Sequence, residues 1–199
     1  MKLYYVPGAC SLTQHIILHE AGIEHELVKV DLKTRQTEKG ENYLDINSKG
    51  YVPALQLDSG KVMTEGVVLS QYLADLKPEA GLLATEGEAR YDTLSWLSFI
   101  STELHKNMGA LFNPAVKGEW QENILATLNK RLEWLAASLG AKETLTGTFS
   151  VADAYLFTVL GWARIVGVSL EAWPDIQRYQ TAIAKRPAVQ AAMKAEGLI

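Results

Sequence analysis

Every strand-like run in this chain lies before residue 65, and from about residue 87 onward the sequence carries helical periodicity alone. That asymmetry excludes one sheet threaded through the whole molecule. It divides the 199 residues into a mixed α/β domain over 1–77, a linker over 78–86 and an all-α helical bundle domain over 87–199. Lys2 to Val6 is β-rich and stops at Pro7-Gly8. Ser11-Leu12-Thr13-Gln14 then fits an S-x-x-Q capping box, and Leu12, Ile16, Ile17 and Ala21 follow at helical spacing up to Gly22. Glu26 to Val30 reads as a second strand, so the chain opens with a right-handed βαβ unit whose strands are parallel.

Asp31 to Glu41 is polar and reads as a loop, followed by a short helix at Asn42 to Ile46. Val52 to Met63 has the pattern of a hairpin turning at Asp58-Ser59-Gly60, and Gly66 to Leu76 that of a helix laid on a sheet. The helical half contains periodic runs at Ala89–Leu111, Gln121–Leu139, Val151–Val166, Ile176–Lys185 and Ala188–Glu196. Its sharpest local signal is Ser150-Val151-Ala152-Asp153, a capping box before an apolar helix, which satisfies the helix's first N–H groups and is structural.

Charge and cysteine content remove several function classes. The formal net charge is −4, which offers no basic excess to neutralise a nucleic acid. No stretch approaches the ~18 uninterrupted apolar residues of a membrane span, and the first residues lack a signal-peptide layout, so a cytoplasmic protein is expected. A single cysteine, Cys10, excludes an internal disulfide and a thiolate-rich zinc site. His15 and His19 have helical i, i+4 spacing, but His15-Ile16-Ile17-Leu18-His19 lacks the Glu of an H-E-x-x-H motif, and no metal is expected.

Cys10 sits between a strand-ending turn and the first turn of a helix, where free N–H groups and the positive end of the dipole favour a thiolate. The bland reading is a small buried residue. Without a second cysteine in a C-x-x-C, any redox cycle must borrow an external thiol. Val52-Pro53 opens the third strand, where proline's missing N–H costs no ladder bond. A cis bond there turns the Val52 backbone toward a ligand, although trans is the commoner state. Glu65-Gly66 lies at a strand-to-helix junction, where a glutamate either holds an amine or is simply solvated.

Met1-Lys-Leu-Tyr-Tyr-Val-Pro-Gly-Ala-Cys10-Ser-Leu, Gly50-Tyr-Val-Pro53, Thr64-Glu-Gly66, Glu103-Leu-His-Lys106 and Val151-Ala-Asp-Ala-Tyr-Leu156, in this order and spacing, resemble the bacterial beta-class glutathione S-transferases over the whole chain. The resemblance implies a thioredoxin-like N-terminal domain, a helical C-terminal domain contributing the electrophile pocket, and a homodimer with one glutathione site per subunit. Glutathione is then a co-substrate, with no tightly bound cofactor. Cys10 would face the glutathione sulfur, the Val52 backbone beside a cis Pro53 would pair with the cysteinyl unit, and Glu65 with Gly66 would hold the γ-glutamyl end. Arg35 stands where the family has a basic residue near the glycyl end. His105 would lie close to the thiol with Lys106 beside it, its ordinary pKa of about 6.5 suiting proton transfer. Glu103 is implied to reach the neighbouring subunit's glutathione. Ser98 occupies the place of the family's asparagine in that contact, and its shorter side chain puts the contact in doubt; Ser48 replaces a loop proline.

The function so implied is conjugation of glutathione to electrophiles, exchange of glutathione through a Cys10 mixed disulfide, or both. Two alternatives use the same residues: a noncatalytic glutathione-fold binding module, and a peroxide reductase drawing on external glutathione.

Overall fold

The computed structural model describes all 199 residues, which form two compact units: Met1–Thr85 with Pro187–Ile199, and Glu86–Arg186. The first unit contains β1 (Lys2–Tyr5), α1 (Leu12–Glu20), β2 (Glu26–Asp31), β3 (Gln36–Thr37), α2 (Tyr43–Ile46), β4 (Ala54–Gln56), β5 (Val62–Thr64) and α3 (Gly66–Leu76). A 3-10 turn at Pro78–Ala80 follows α3. The sheet order is β3-β2-β1-β4-β5, with β1 parallel to β2 and the other pairs antiparallel. The βαβ opening and the later hairpin therefore form as their sequence patterns indicate. β3 lies within the polar stretch expected to be loop, where Thr37 and Gln36 pair with Val30 and Asp31.

Strand alternation gives the sheet two apolar faces. Tyr4, Val28, Val30, Tyr43, Val52 and Ala54 make one core cluster, while Leu3, Ile16, Ile17, Leu55, Leu69 and Leu73 are fully buried elsewhere in the unit.

The S-x-x-Q capping box does not form. Ser11 is already helical, and its Oγ turns back to the Val6 N–H and C=O at 3.2 and 3.3 Å. Gln14 Nε2 instead donates to the Gly66 carbonyl at 2.9 Å and to Ser70 Oγ at 3.0 Å, tying α1 to α3. A second correction concerns the end of the chain. The region expected as one helical domain over 87–199 loses its last helix, Pro187–Ala195, which packs on α1 in the first unit. Val189 and Ala192 are buried there, and the buried Glu196 carboxylate receives the Gly8 N–H at 2.8 Å and faces His15 Nδ1 at 2.9 Å.

The second unit holds α4 (Gly87–Phe99), a π-helical segment (Ile100–His105), α5 (Lys106–Leu111), α6 (Glu119–Leu139), α7 (Val151–Leu160) and α8 (Pro174–Ala184); Pro187–Ala195 is α9. The helix expected over 89–111 thus widens to π winding in its middle, a feature common at functional sites. Every residue of α7 is buried. Asp153 accepts the Ser150 N–H and Oγ at 2.9 Å each, the Leu145 N–H at 2.9 Å and the Tyr179 hydroxyl at 2.9 Å, so the capping box also anchors α8. No helix is long and apolar enough to cross a membrane.

Candidate active site

The chain leaves β1 through a tight turn in which Gly8 has φ 70, and the Ala9 and Leu12 N–H groups bond the Val6 and Ala9 carbonyls at 3.0 Å each. Cys10 follows, half-buried, and its thiol donates to the Val52 carbonyl at 3.2 Å. The Val52-Pro53 bond is cis. The thiolate expected from the helix N-terminus is not what the surroundings favour. Burial pushes the Cys10 pKa up to about 11, outweighing the Cys10 and Ser11 N–H groups that pull it down.

Glu65 caps α3 from an uncommon backbone conformation, φ 74 and ψ 108, which a non-glycine residue adopts only when its surroundings impose it. Its carboxylate is held by Lys49 Nζ and by the Tyr51 hydroxyl at 3.0 Å. These two partners, Lys49 first, hold its pKa below the ordinary carboxylate value. A Cβ added to Gly66 would lie 3.7 Å from Gln14 Nε2 and 4.0 Å from Pro53 Cγ, so the start of α3 adjoins the cis-proline. The first-turn amides of α3 have no partner within the helix, an arrangement that favours an anion at a helix N-terminus. Arg35 is exposed, with φ 59, and its guanidinium bonds the Gly50 carbonyl two residues before Val52. Gly50 has φ 69, a conformation that residues with a side chain rarely adopt.

Five of the ten expected residues, Cys10, Val52, Pro53, Glu65 and Gly66, thus converge on the 51–53 segment, with Arg35 beside it. The remaining four belong to the helical unit. His105 ends the π-helical segment, with Nδ1 2.5 Å from the Tyr155 hydroxyl and its ring edge-on to Trp162 at 4.8 Å. Burial lowers its pKa, so the imidazole is neutral at pH 7. Glu103 is paired within its own chain to Arg131 Nε at 2.5 Å, while Ser98 and Lys106 are exposed. Sequence reasoning missed Lys49, Tyr51, Gln14 and Tyr155 as partners of these groups. Tyr51 directly precedes the Val52-Pro53 pair and Lys49 lies two residues before Tyr51, while Tyr155 lies inside the Val151–Leu156 motif, so their positions were the available signal.

Residues 8–76 match the family of glutathione S-transferase N-terminal domains, and residues 99–187 that of the C-terminal domains. The chain is 46% identical over 200 residues to glutathione S-transferase GstA of Escherichia coli O157:H7, covering 100% of both. It belongs to the glutathione S-transferase family. Two solved transferases share its fold across 100% of both chains. The beta-class enzyme of Sphingomonas chungbukensis is 45% identical with a TM-score of 0.95, and a sphingomonad glutathione S-transferase complexed with glutathione is 46% identical with a TM-score of 0.94. The thioredoxin-like unit of this transferase is therefore the one that carries Cys10, the cis-proline and Glu65.

Proposed function

We propose that this protein conjugates glutathione to small electrophiles, using glutathione's own thiol as the nucleophile. In that reaction the thiol loses its proton to the medium or a base, its sulfur forms a bond to the electrophilic carbon, and the leaving group departs with the bonding pair. The observation that carries the reading is the convergence of Cys10, Glu65 and Gly66 on the cis Val52-Pro53 segment. Glu65 offers a carboxylate to the γ-glutamyl ammonium, and the α3 amides offer donors to the adjacent carboxylate. The Val52 backbone pairs with the cysteinyl amide, and Arg35 supplies positive charge for the glycyl end. Cys10 enters as a protonated thiol, a hydrogen-bond donor at neutral pH rather than an attacking group. His105, Lys106, Glu103 and Ser98 take part on the strength of the family resemblance. On the same basis we infer a homodimer acting in the cytoplasm in detoxification.

The test is a paired measurement on wild type and Cys10→Ala. Conjugation of glutathione to an aryl halide is expected to survive the substitution, while formation of a glutathione–protein disulfide is lost. Equal loss of both activities overturns this division. Retention on immobilised glutathione without turnover of any thiol or electrophile would instead favour a binding module.

A further inference from the structure

Three histidines that the transferase reaction does not use converge along α1 and the connection that follows it. His15 and His19 lie one turn apart on α1, and His25 stands in the connection into β2. One nitrogen from each lies within 4.8 Å of the others, and Nε2 of His15 is 3.2 Å from Nε2 of His19. We propose that His15, His19 and His25 form a binding site for a divalent transition ion of the zinc type, with three imidazole ligands and one open position.

The geometry fits that class of ion. Tetrahedral zinc at 2.0 to 2.1 Å from its ligands sets their nitrogens about 3.3 to 3.4 Å apart, so the His15–His19 pair needs almost no adjustment. The third nitrogen must approach by about 1.4 Å at most, a small rotation for a side chain that is half-exposed. The outer hydrogen bonds are already those a ligating histidine uses to fix its tautomer. His15 Nδ1 lies 2.9 Å from Glu196 Oε1, with both side chains fully buried, and His25 Nδ1 lies 2.8 Å from the Ile23 carbonyl. With both Nδ1 atoms acting as donors, the Nε2 lone pairs are left to face an ion. Between His15 and His19 two Nε2 atoms share a single proton; an ion replaces that contact once His19 moves its proton to Nδ1.

Three imidazoles suit zinc, copper or nickel and disfavour magnesium and calcium, which take oxygen ligands. The expectation of no metal rested on the missing Glu of H-E-x-x-H. The fold supplies a different third donor, His25, and places the carboxylate behind His15 rather than beside it. Because Glu196 also receives the Gly8 N–H at 2.8 Å, the same carboxylate buttresses the histidines and the turn that leads to Cys10. The ion would act there as a clip joining α1, α9 and the approach to β2.

The test uses the full chain, stripped with a chelator and titrated with Co²⁺ alone, whose visible absorption reports tetrahedral coordination, then with Zn²⁺ against a chromophoric competitor. Wild type is expected to bind one ion per chain, Cys10→Ala to bind equally, and Mg²⁺ not to compete. His19→Ala and His25→Ala, at half-exposed positions, should each weaken binding at least about tenfold while circular dichroism stays unchanged. Binding by either variant as tight as wild type, loss of binding in Cys10→Ala, or no stoichiometric binding by wild type overturns the proposal.

Discussion

The turn that carries Cys10 and the β5–α3 junction that carries Glu65 face the same 51–53 segment, and they hold their ionisable groups in opposite states. The Cys10 thiol donates to the Val52 carbonyl and is kept protonated, its pKa raised by burial to about 11. The Glu65 carboxylate accepts from Lys49 and Tyr51 and is kept charged. Both groups sit at helix N-termini, so the helix dipole cannot account for the difference. What decides is whether local partners repay the loss of water: Glu65 has a cation and a hydroxyl, whereas Cys10 has a carbonyl acceptor that favours the neutral thiol. Glu65 is thus held as a charged group and Cys10 as a neutral thiol.

The strongest test of that contrast is Glu65→Ala. Hydrogen bonds to charged groups contribute about 1.5 to 3 kcal/mol, so glutathione affinity should fall roughly 10- to 100-fold in calorimetric titration. Affinity equal to wild type would remove the junction from the binding site. Glu65→Gly separates binding from strain. It should lose the same affinity yet raise the thermal midpoint, because glycine adopts φ 74 at little cost.

The next effect is smaller and concerns rate. At about pH 8 a thiol of pKa about 11 is roughly 0.1% thiolate, against roughly 10% for the reference value of 9.0, and the greater nucleophilicity of the more basic thiolate recovers about six- to tenfold. Oxidised glutathione should therefore add to Cys10 about tenfold more slowly in the folded protein than in the urea-unfolded chain, as followed by intact mass. The gap should close near pH 10, where the folded thiol is roughly 9% ionised but about six- to tenfold more nucleophilic once ionised. The linkage has a definite sign: a raised folded-state pKa favours the fold fully below pH 9 and loses that contribution as the pH climbs through about 11. Faster reaction in the folded state at pH 8 would break the contrast and favour thiol exchange through Cys10.

Patterns whose cause is local were legible in the sequence. The β1–α1–β2 opening, the hairpin, α3 and the Ser150–Asp153 box follow from alternation, turn residues and caps, and each is present. Patterns that a tertiary partner overrides were not. Ser11 and Gln14 match a capping box, but Gln14 finds two acceptors on α3 that no sequence window contains. The π winding before His105 and the docking of α9 on α1 likewise depend on contacts between distant segments. The site residues were named by resemblance and by their places at strand ends. The expected Cys10 thiolate follows from the helix start alone, whereas the burial that raises its pKa depends on segments distant in sequence, such as Val52.

The smallest expected effect separates Glu65 as a ligand group from Glu65 as half of an ion pair. Lys49 and Glu65 are both about half exposed, at 44% and 54%, and such solvent-screened pairs add little stability, so Lys49→Ala should move the thermal midpoint by only a few degrees at most. Its signature lies in pH instead. Lys49 is the leading cause of the lowered Glu65 pKa, and without it the carboxylate protonates at a higher pH. A group whose pKa is depressed on folding contributes above its unfolded value, near 4.5, and loses that contribution as the pH falls through the folded value. The acid limb of glutathione binding should accordingly shift upward in Lys49→Ala while affinity at neutral pH stays within about threefold of wild type. An affinity loss as large as that of Glu65→Ala would show instead that the lysine, rather than the carboxylate, makes the decisive contact with glutathione.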